Sequence, residues 1–261
     1  MEVPTKLKGK ELFKFLVENK DDIIYAKKSA VKYSEGFSAV QNKIDKDVIV
    51  GKADGIDEVS EIKVRAIINT TNLVDSHKDL HIPNIWKKSL DENKRIKYLQ
   101  EHEMKFDKII ADGDDLDVST QTYQWKDLGY DMEGETQALV FDATVKEDRN
   151  PFMFKQFKNN VVDNNSVGMV YQKIQLAIND KDYEEEYKVW EKYYDNVANK
   201  EVPDSDGYFF SVTEAKVIEG SAVPNGSNYI TPVLEQAKQE TEPTENELKN
   251  HAIKEWLDIK Q

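Results

Sequence analysis

The chain has 261 residues, a formal net charge of -14 and no cysteine. The lack of cysteine excludes disulfide bonds, thiolate metal sites and a cysteine nucleophile. The acidic charge argues against general nucleic-acid binding, because phosphate groups repel such a surface. No apolar run approaches the roughly 18 residues that a membrane-spanning helix needs. The first residues lack the apolar core of a secretory signal. We therefore expect a cytoplasmic protein without nucleic-acid or membrane partners.

Residues 1–60 are expected to form an N-terminal helical arm followed by a linker. Apolar residues recur at near-helical spacing between positions 12 and 26, which predicts helix over residues 9–33, in one or two pieces. Residues 34–60 have weak patterning with several Asp, Lys and Gly, which is typical of a linker or a loose arm.

A different pattern begins at residue 61 and predicts the main domain, residues 61–233. Alternating apolar residues from Ile62 to Ile68 predict a half-buried strand, and the stretch 85–100 predicts a helix. The Asp-Gly pair within residues 108–118 is typical of a hairpin turn. Further strands are predicted at 121–125, 137–145, 166–177 and 208–217, with a short helix that begins at Pro151 and is capped by Asn150.

Two acidic segments flank or interrupt this domain. Residues 179–206 contain a helical stripe of aromatic residues and are interpreted as an acidic helical insertion between two strands. Residues 234–261 are rich in Glu, Gln, Lys and Thr, which predicts a flexible, disordered acidic tail that ends in a short amphipathic helix around Trp256. Several short strands with few helices predict a mostly β or α+β core, of the kind a small barrel forms.

Three separate segments carry side chains suited to acyl transfer. His102 follows an apolar stretch, Ser166 lies two residues before Gly168 at the start of a strand, and Glu219 lies near the end of another. A serine hydroxyl is a poor nucleophile until a neighbouring base accepts its proton. Histidine is the natural base near neutral pH, and a third polar group usually orients its ring.

Chemistry alone leaves other interpretations of these residues open. Ser166 could be a turn or capping serine, and His102 a surface or capping histidine. The Ser-x-Gly pattern occurs again at Ser34 and Ser205, and the chain has no GxSxG nucleophile elbow.

Two groups of residues raise the alternative of a metal site, and neither fits well. His77 and His81 have the HxxxH spacing of zinc proteases but lack the glutamate of that motif, so a polar loop ordered by Asp75 and Asp79 is favoured. The carboxylates of residues 112–117 lack EF-hand spacing and are expected to lie in a solvated hairpin. We predict neither a metal nor a cofactor.

The order of four segments resembles the HK97-like prohead protease family of tailed phages. These are NTTNLVDSHKDLHIPNIWKKSL, then YLQEHE around His102, NNSVGM around Ser166 and IEGSAVPNGSN around Glu219. The resemblance covers about residues 61–233, and it lies in the combination and order of the segments. Two departures are Glu103, where the family more often has Asp, and the long acidic stretch 179–206.

The resemblance implies a fold similar to herpesvirus assemblin, a small β-barrel with surrounding helices. His102 would be the base and Ser166 the nucleophile. Glu219 would either orient His102 or hold the end of its strand. The backbone N–H groups of Val167 and Gly168 would be candidates for the oxyanion hole.

The implied function is that of a serine endopeptidase of capsid maturation, active in the host cytoplasm inside the assembling prohead. Its partners would be the major capsid protein, scaffold segments and the chain itself, which would trim itself within residues 34–60, 234–247 or both. The oligomeric state stays open, a dimer included. The alternative is a non-catalytic scaffold or capsid-assembly protein on the same fold.

Overall fold

The computed structural model describes residues 3–4, 6–34, 40–41, 60–93 and 95–224. Most of the predicted linker, residues 34–60, and the whole predicted tail, residues 234–261, lie outside the described residues. Within the described part of the chain, no helix is long and apolar enough to cross a membrane.

The elements alternate along the chain, with most helices between strands. The α-helices are α1 (Gly9–Glu18), α2 (Lys20–Ser29), α3 (Lys87–Glu92), α4 (Pro151–Lys158), α5 (Glu184–Tyr193) and α6 (Glu201–Asp206). The strands are β1 (Lys32–Ser34), β2 (Val40–Gln41), β3 (Glu61–Thr70), β4 (Asp79–His81), β5 (Lys97–Gln100), β6 (Ile109–Ala111), β7 (Leu116–Gln124), β8 (Glu135–Lys146), β9 (Asn164–Ile178) and β10 (Tyr208–Val223).

The strands form two sheets. The first has the order β1-β9-β10-β5-β6, with β4 also paired to β10, and the second has the order β2-β3-β8-β7. The long strands β9 and β10 are antiparallel, whereas β4 and β5 run parallel to β10.

The two sheets share one hydrophobic core. At Gly220 in β10, an added Cβ would lie only 2.6 Å from the Phe141 ring of β8 and 2.9 Å from Ile68 of β3. One face of β10 therefore packs on the second sheet, and its opposite face is left for other contacts. The fold is mixed, with helices and sheets. The described residues form two open sheets and no closed barrel, so the expected barrel is not confirmed.

The helix predicted over residues 85–100 is wrong in its second half. Helix α3 ends at Glu92, and the Asn93 side chain donates a hydrogen bond of 3.0 Å to the Val217 carbonyl of β10. Residues 97–100 form β5, which pairs with both β10 and β6. The local pattern of apolar residues fits a helix as well as a strand, and the long-range pairing decides for the strand.

The hairpin predicted for residues 108–118 is also wrong. Strand β6 pairs with β5 in the first sheet, whereas β7 pairs with β8 in the second. The Asp-Gly turn therefore connects the two sheets. Asp112 is held there by ion pairs with Lys97 at 2.7 Å and Arg149 at 2.8 Å.

Other predicted elements are confirmed. The Asn150 side chain accepts a hydrogen bond of 3.0 Å from the Met153 N–H and so caps α4, as predicted. The acidic helix α5 lies between β9 and β10 in the chain, and its Trp190 packs on Phe209 with ring centroids 5.1 Å apart.

The N-terminal helices contribute to the shared core. Leu16 of α1 and Ile23 of α2 are buried in the main hydrophobic cluster. Lys27 of α2 forms an ion pair with the buried carboxylate of Asp79. Strand β1 then joins the first sheet beside β9. Residues 9–34 therefore pack against the sheets. The proposed domain boundaries stay a prediction.

Candidate active site

His102 lies in a tight turn directly after β5. Both Glu101 and His102 have positive φ angles, 52° and 60°, which are uncommon for residues with a side chain. Two contacts with β10 hold the turn: the Glu101 N–H donates to the Ala222 carbonyl, and the His102 N–H donates to the Ser221 hydroxyl oxygen, each at 3.0 Å. The end of β10 thus sets the position of the imidazole.

Glu219 orients the His102 ring. Its Oε1 lies 2.7 Å from His102 Nδ1, and its Oε2 accepts a hydrogen bond of 2.6 Å from the Ser221 hydroxyl. Glu219 is only 3% exposed. Because an ionised carboxylate can only accept, Nδ1 carries the proton in this pair and Nε2 is the basic position of the neutral ring. A carboxylate placed in this way can also stabilise an imidazolium.

Strand pairing brings Ser166 to the same place. In the β9–β10 ladder, Ser166 lies opposite Ser221, and Gly168 lies opposite Glu219. Directly opposed residues of an antiparallel pair project from the same face, with Cβ atoms about 4.5–5.5 Å apart. Ser166 is therefore a cross-strand neighbour of Ser221, whose hydroxyl contacts both Glu219 and the His102 turn. Strand register therefore places Ser166 on the same face of the first sheet as Glu219, which contacts His102.

The two serines at this site have different environments. Ser221 is fully buried, and its hydroxyl both donates to Glu219 and accepts from the His102 N–H. Ser166 is partly exposed. Ser166 is therefore accessible from solvent, whereas Ser221 positions its neighbours. Sequence reasoning did not assign Ser221 this role, although its spacing of two from Glu219 along a strand places both on one face.

Gly168 has a steric reason to lack a side chain. An added Cβ would lie 2.2 Å from Glu219 Oε1 and 3.0 Å from its Cδ. The Glu219 carboxylate therefore lies directly over the Gly168 backbone, in the space that any larger residue would fill.

The oxyanion candidates Val167 and Gly168 lie in the middle of the first sheet. Their strand pairs with β10 on one side and with β1 on the other, where Ser34 lies opposite Val167 and Tyr33 opposite Gly168. Neighbouring N–H groups in a strand point to opposite sides. One of these two N–H groups therefore points toward β10 and the other toward β1.

The second Ser-x-Gly serine, Ser205, is far from His102. It lies in α6, just before β10 begins at Tyr208. At about 3.3 Å per strand residue, Tyr208 and Glu219 are roughly 35 Å apart along β10. Ser205 cannot share a proton with His102. Ser34 lies in β1, beside the Ser166 strand.

The other histidine pair belongs to a polar network. His81 Nδ1 lies 3.1 Å from Asn69 Oδ1, its Nε2 lies 3.0 Å from the Tyr171 hydroxyl, and burial lowers the pKa of His81 to about 4. The Asp75 carboxylate accepts from the backbone N–H groups of His77 and Asp79, so Asp75 orders this turn as predicted. Among the described residues, no three side chains of the His, Asp and Glu type converge as metal ligands.

The site is a sheet face with an adjoining turn. Two cavities, of about 300 and 640 Å³, are lined by other residues, the first between α3 and β7 and the second beside α1 and α2. Comparison with protein-family models, curated proteins and solved structures finds no significant match to this chain. Support for a function therefore comes from the geometry of its own residues.

Proposed function

We propose that this chain is a serine endopeptidase in which Ser166 is the nucleophile, His102 the general base and Glu219 the group that orients His102. The observation that carries the proposal is the 2.7 Å contact between His102 Nδ1 and the buried Glu219 carboxylate, on the sheet face that presents Ser166. A nucleophile, a base and an orienting acceptor in this arrangement have the chemistry of acyl transfer.

The proposed reaction has two steps. The Ser166 hydroxyl oxygen attacks the carbonyl carbon of a peptide bond while His102 Nε2 takes its proton. The C–N bond then breaks, and His102 returns the proton to the leaving amine. Water, deprotonated by the same histidine, cleaves the resulting ester and releases a carboxylate and the free serine. Glu219 stabilises the imidazolium that forms in each step.

Stabilisation of the oxyanion would come from the backbone of the Ser166 strand. Of the two candidate N–H groups, at Val167 and Gly168, the one that points away from β10 faces β1, so it becomes available to a substrate when β1 leaves that edge of β9. A preorganised N–H donor of this kind typically contributes about 10²–10³-fold to turnover. In the turn after His102, Met104 and Phe106 are 57% and 93% exposed and provide apolar surface for substrate side chains.

The resemblance to HK97-like prohead proteases gives the biological form of this proposal. The enzyme would act in the host cytoplasm, inside an assembling prohead, on scaffold segments, the major capsid protein and itself. The two packed sheets would correspond to an opened version of the assemblin-like barrel. The order of motifs in the sequence and the meeting of His102, Ser166 and Glu219 support this assignment.

A non-catalytic scaffold or capsid-assembly protein is the second candidate. The observation that favours it is the network of Glu219, Ser221 and the His102 backbone, which by itself would tie the end of β10 to the turn after β5. In that case His102 and Ser166 would be structural, and their loss would change the free energy of unfolding without abolishing any cleavage.

Mutation of the nucleophile and base separates the two candidates. We expect the purified wild-type chain to cleave a peptide with its own residues 28–41, KSAVKYSEGFSAVQ, and co-expressed capsid and scaffold proteins of the same phage. Ser166→Ala and His102→Ala should abolish cleavage, and the double variant should be no worse than either, because residues that act as one unit are non-additive. Ser205→Ala, the matched Ser-x-Gly control, should cleave normally. Wild-type rates in the Ser166→Ala chain would refute the assignment.

A further inference from the structure

Strand β1 lies against the strand that carries Ser166. It pairs antiparallel with β9, with Lys32 opposite Met169, Tyr33 opposite Gly168 and Ser34 opposite Val167. The next position of β9 in this register is Ser166 itself. On its other side, the same part of β9 pairs with β10. Both edges of the Ser166 strand are therefore occupied, one of them by three residues from the N-terminal part of the chain.

The edge that β1 occupies is the one that an extended peptide would need. Peptides commonly bind by adding a strand to an exposed sheet edge, where their backbone supplies the hydrogen bonds. A peptide bond attacked by Ser166 and stabilised by the outward N–H of Val167 or Gly168 has to lie along β9 on the side away from β10. That side is the position of β1.

We propose that β1 occupies the peptide-binding edge of the active site, as a built-in strand that competes with other extended peptides. This inference rests on the proposed peptidase function and adds to it the form of the substrate, an extended strand, and a means of regulation. The first peptide that the site receives is then the chain's own segment at β1.

The preceding helix holds β1 in place. Lys27 of α2 forms an ion pair with the buried Asp79 carboxylate and donates a hydrogen bond of 3.0 Å to the His77 carbonyl. Ile23 is 1% exposed, and α2 ends at Ser29, a short distance before β1. An anchored segment has a high effective concentration at its site. The strand itself has three residues, so its own pairing is weak enough to open.

Peptide binding to the inactive Ser166→Ala chain tests the competition without cleavage. The probe is a fluorescent peptide with residues 28–41, KSAVKYSEGFSAVQ, measured by anisotropy. In an antiparallel ladder, the N–H and C=O of one residue point to the partner strand and those of the next point away. Proline at Tyr33 and proline at Ser34 therefore form a matched pair, because only one of them removes an N–H that faces β9.

We expect one proline variant to bind the peptide roughly tenfold more tightly than the Ser166→Ala parent, since apparent affinity rises with the fraction of open sites. The other should bind like the parent. Equal affinities in all three chains, or an equal gain in both proline variants, would overturn the inference. Should a proline variant fail to fold, hydrogen exchange on the unaltered Ser166→Ala chain decides: saturating peptide should speed exchange at residues 32–34, and unchanged exchange would refute displacement.

The wild-type chain separates this inference from the proposed function. If both hold, the chain cuts itself within a few residues of Ser34, with a first-order rate constant that does not depend on protein concentration, because β1 is presented by the same molecule. Tighter binding in one proline variant with no cleavage by the wild type would refute the peptidase and retain the strand-binding edge. Self-cleavage that accelerates with protein concentration would retain the peptidase and refute delivery by β1.

Discussion

Replacing Gly168 by alanine should disable the site without removing any polar side chain. The new Cβ would lie 2.2 Å from Glu219 Oε1, whereas ordinary contacts between non-bonded heavy atoms begin near 3.5 Å. The carboxylate would have to retreat by roughly 1 Å. His102 Nδ1 lies 2.7 Å from the same oxygen, and a retreat of that size takes the pair beyond hydrogen-bond distance.

The expected loss is large in turnover and modest in stability. Loss of the orienting acceptor in a serine triad lowers kcat by up to about 10⁴-fold, so we expect a fall of about 10²-fold or more in the Gly168→Ala chain. Overpacking a well-filled site typically costs about 1–3 kcal/mol in the free energy of unfolding. Cleavage of the 28–41 peptide gives kcat and KM, and urea unfolding gives the stability.

Gly207→Ala is the control for a crowded glycine elsewhere. Its Cβ would lie 2.5 Å from the Phe13 ring, and its φ of 73° disfavours a side chain, so this variant should lose stability while kcat per folded molecule stays unchanged. Glu219→Asp shortens the acid by one methylene and makes room for the new Cβ. The fall in kcat of the Gly168→Ala/Glu219→Asp chain should therefore be smaller than the product of the falls in the two single variants. Near-normal turnover in Gly168→Ala would refute the assigned role of Glu219.

Two further predictions concern the polar network around β4. Burial lowers the pKa of His81 to about 4, so the stability it confers is present above its unfolded pKa near 6.5 and is lost as the pH falls toward 4, by up to about 1.4 kcal/mol per pH unit. Urea unfolding from pH 7 to 4 should show a shallower acid slope in His81→Gln than in the wild type. An equal slope in the two chains would contradict this reasoning. Lys27→Met leaves the fully buried Asp79 carboxylate without its cation and should cost about 3–5 kcal/mol, whereas Lys28→Met on the exposed side should cost less than about 0.5 kcal/mol. A loss below 1 kcal/mol in Lys27→Met would show that the ion pair does not hold α2 in place.

Local rules in the sequence predicted what depends on local contacts. Asn150 and Pro151 specify the start of α4 because capping involves only neighbouring residues. The helix predicted for residues 97–100 was wrong because these residues form β5 through pairing with β6 and with β10, and β10 lies more than a hundred residues later in the chain. The spacing of apolar residues along one segment cannot reveal such a distant partner. The same limit applies to β1, whose three residues carry no strand pattern of their own.

The candidate site also combines features that the sequence predicts locally with features that depend on long-range pairing. The order of motifs was enough to select His102, Ser166 and Glu219, but their meeting requires two ladders, one that aligns β9 with β10 and one that aligns β5 with β10. Neither register can be read from residue types alone. The need for glycine at position 168 is also non-local, since the atom that fills its space belongs to Glu219.

The geometry also explains why the site lies at the end of β10. Strand β10 is the shared partner: β9 on one side brings Ser166, and β5 on the other leads directly into the His102 turn. A left-handed conformation at two successive residues costs on the order of 1–3 kcal/mol each and persists only where surrounding contacts impose it. Here the Ala222 carbonyl and the Ser221 hydroxyl impose it. Because Ser221 also binds Glu219, the contact that holds the turn and the contact that orients the imidazole belong to one network. A shift of β10 by a single residue would reverse its faces and separate all three side chains, so the proposed chemistry depends on the register of one strand.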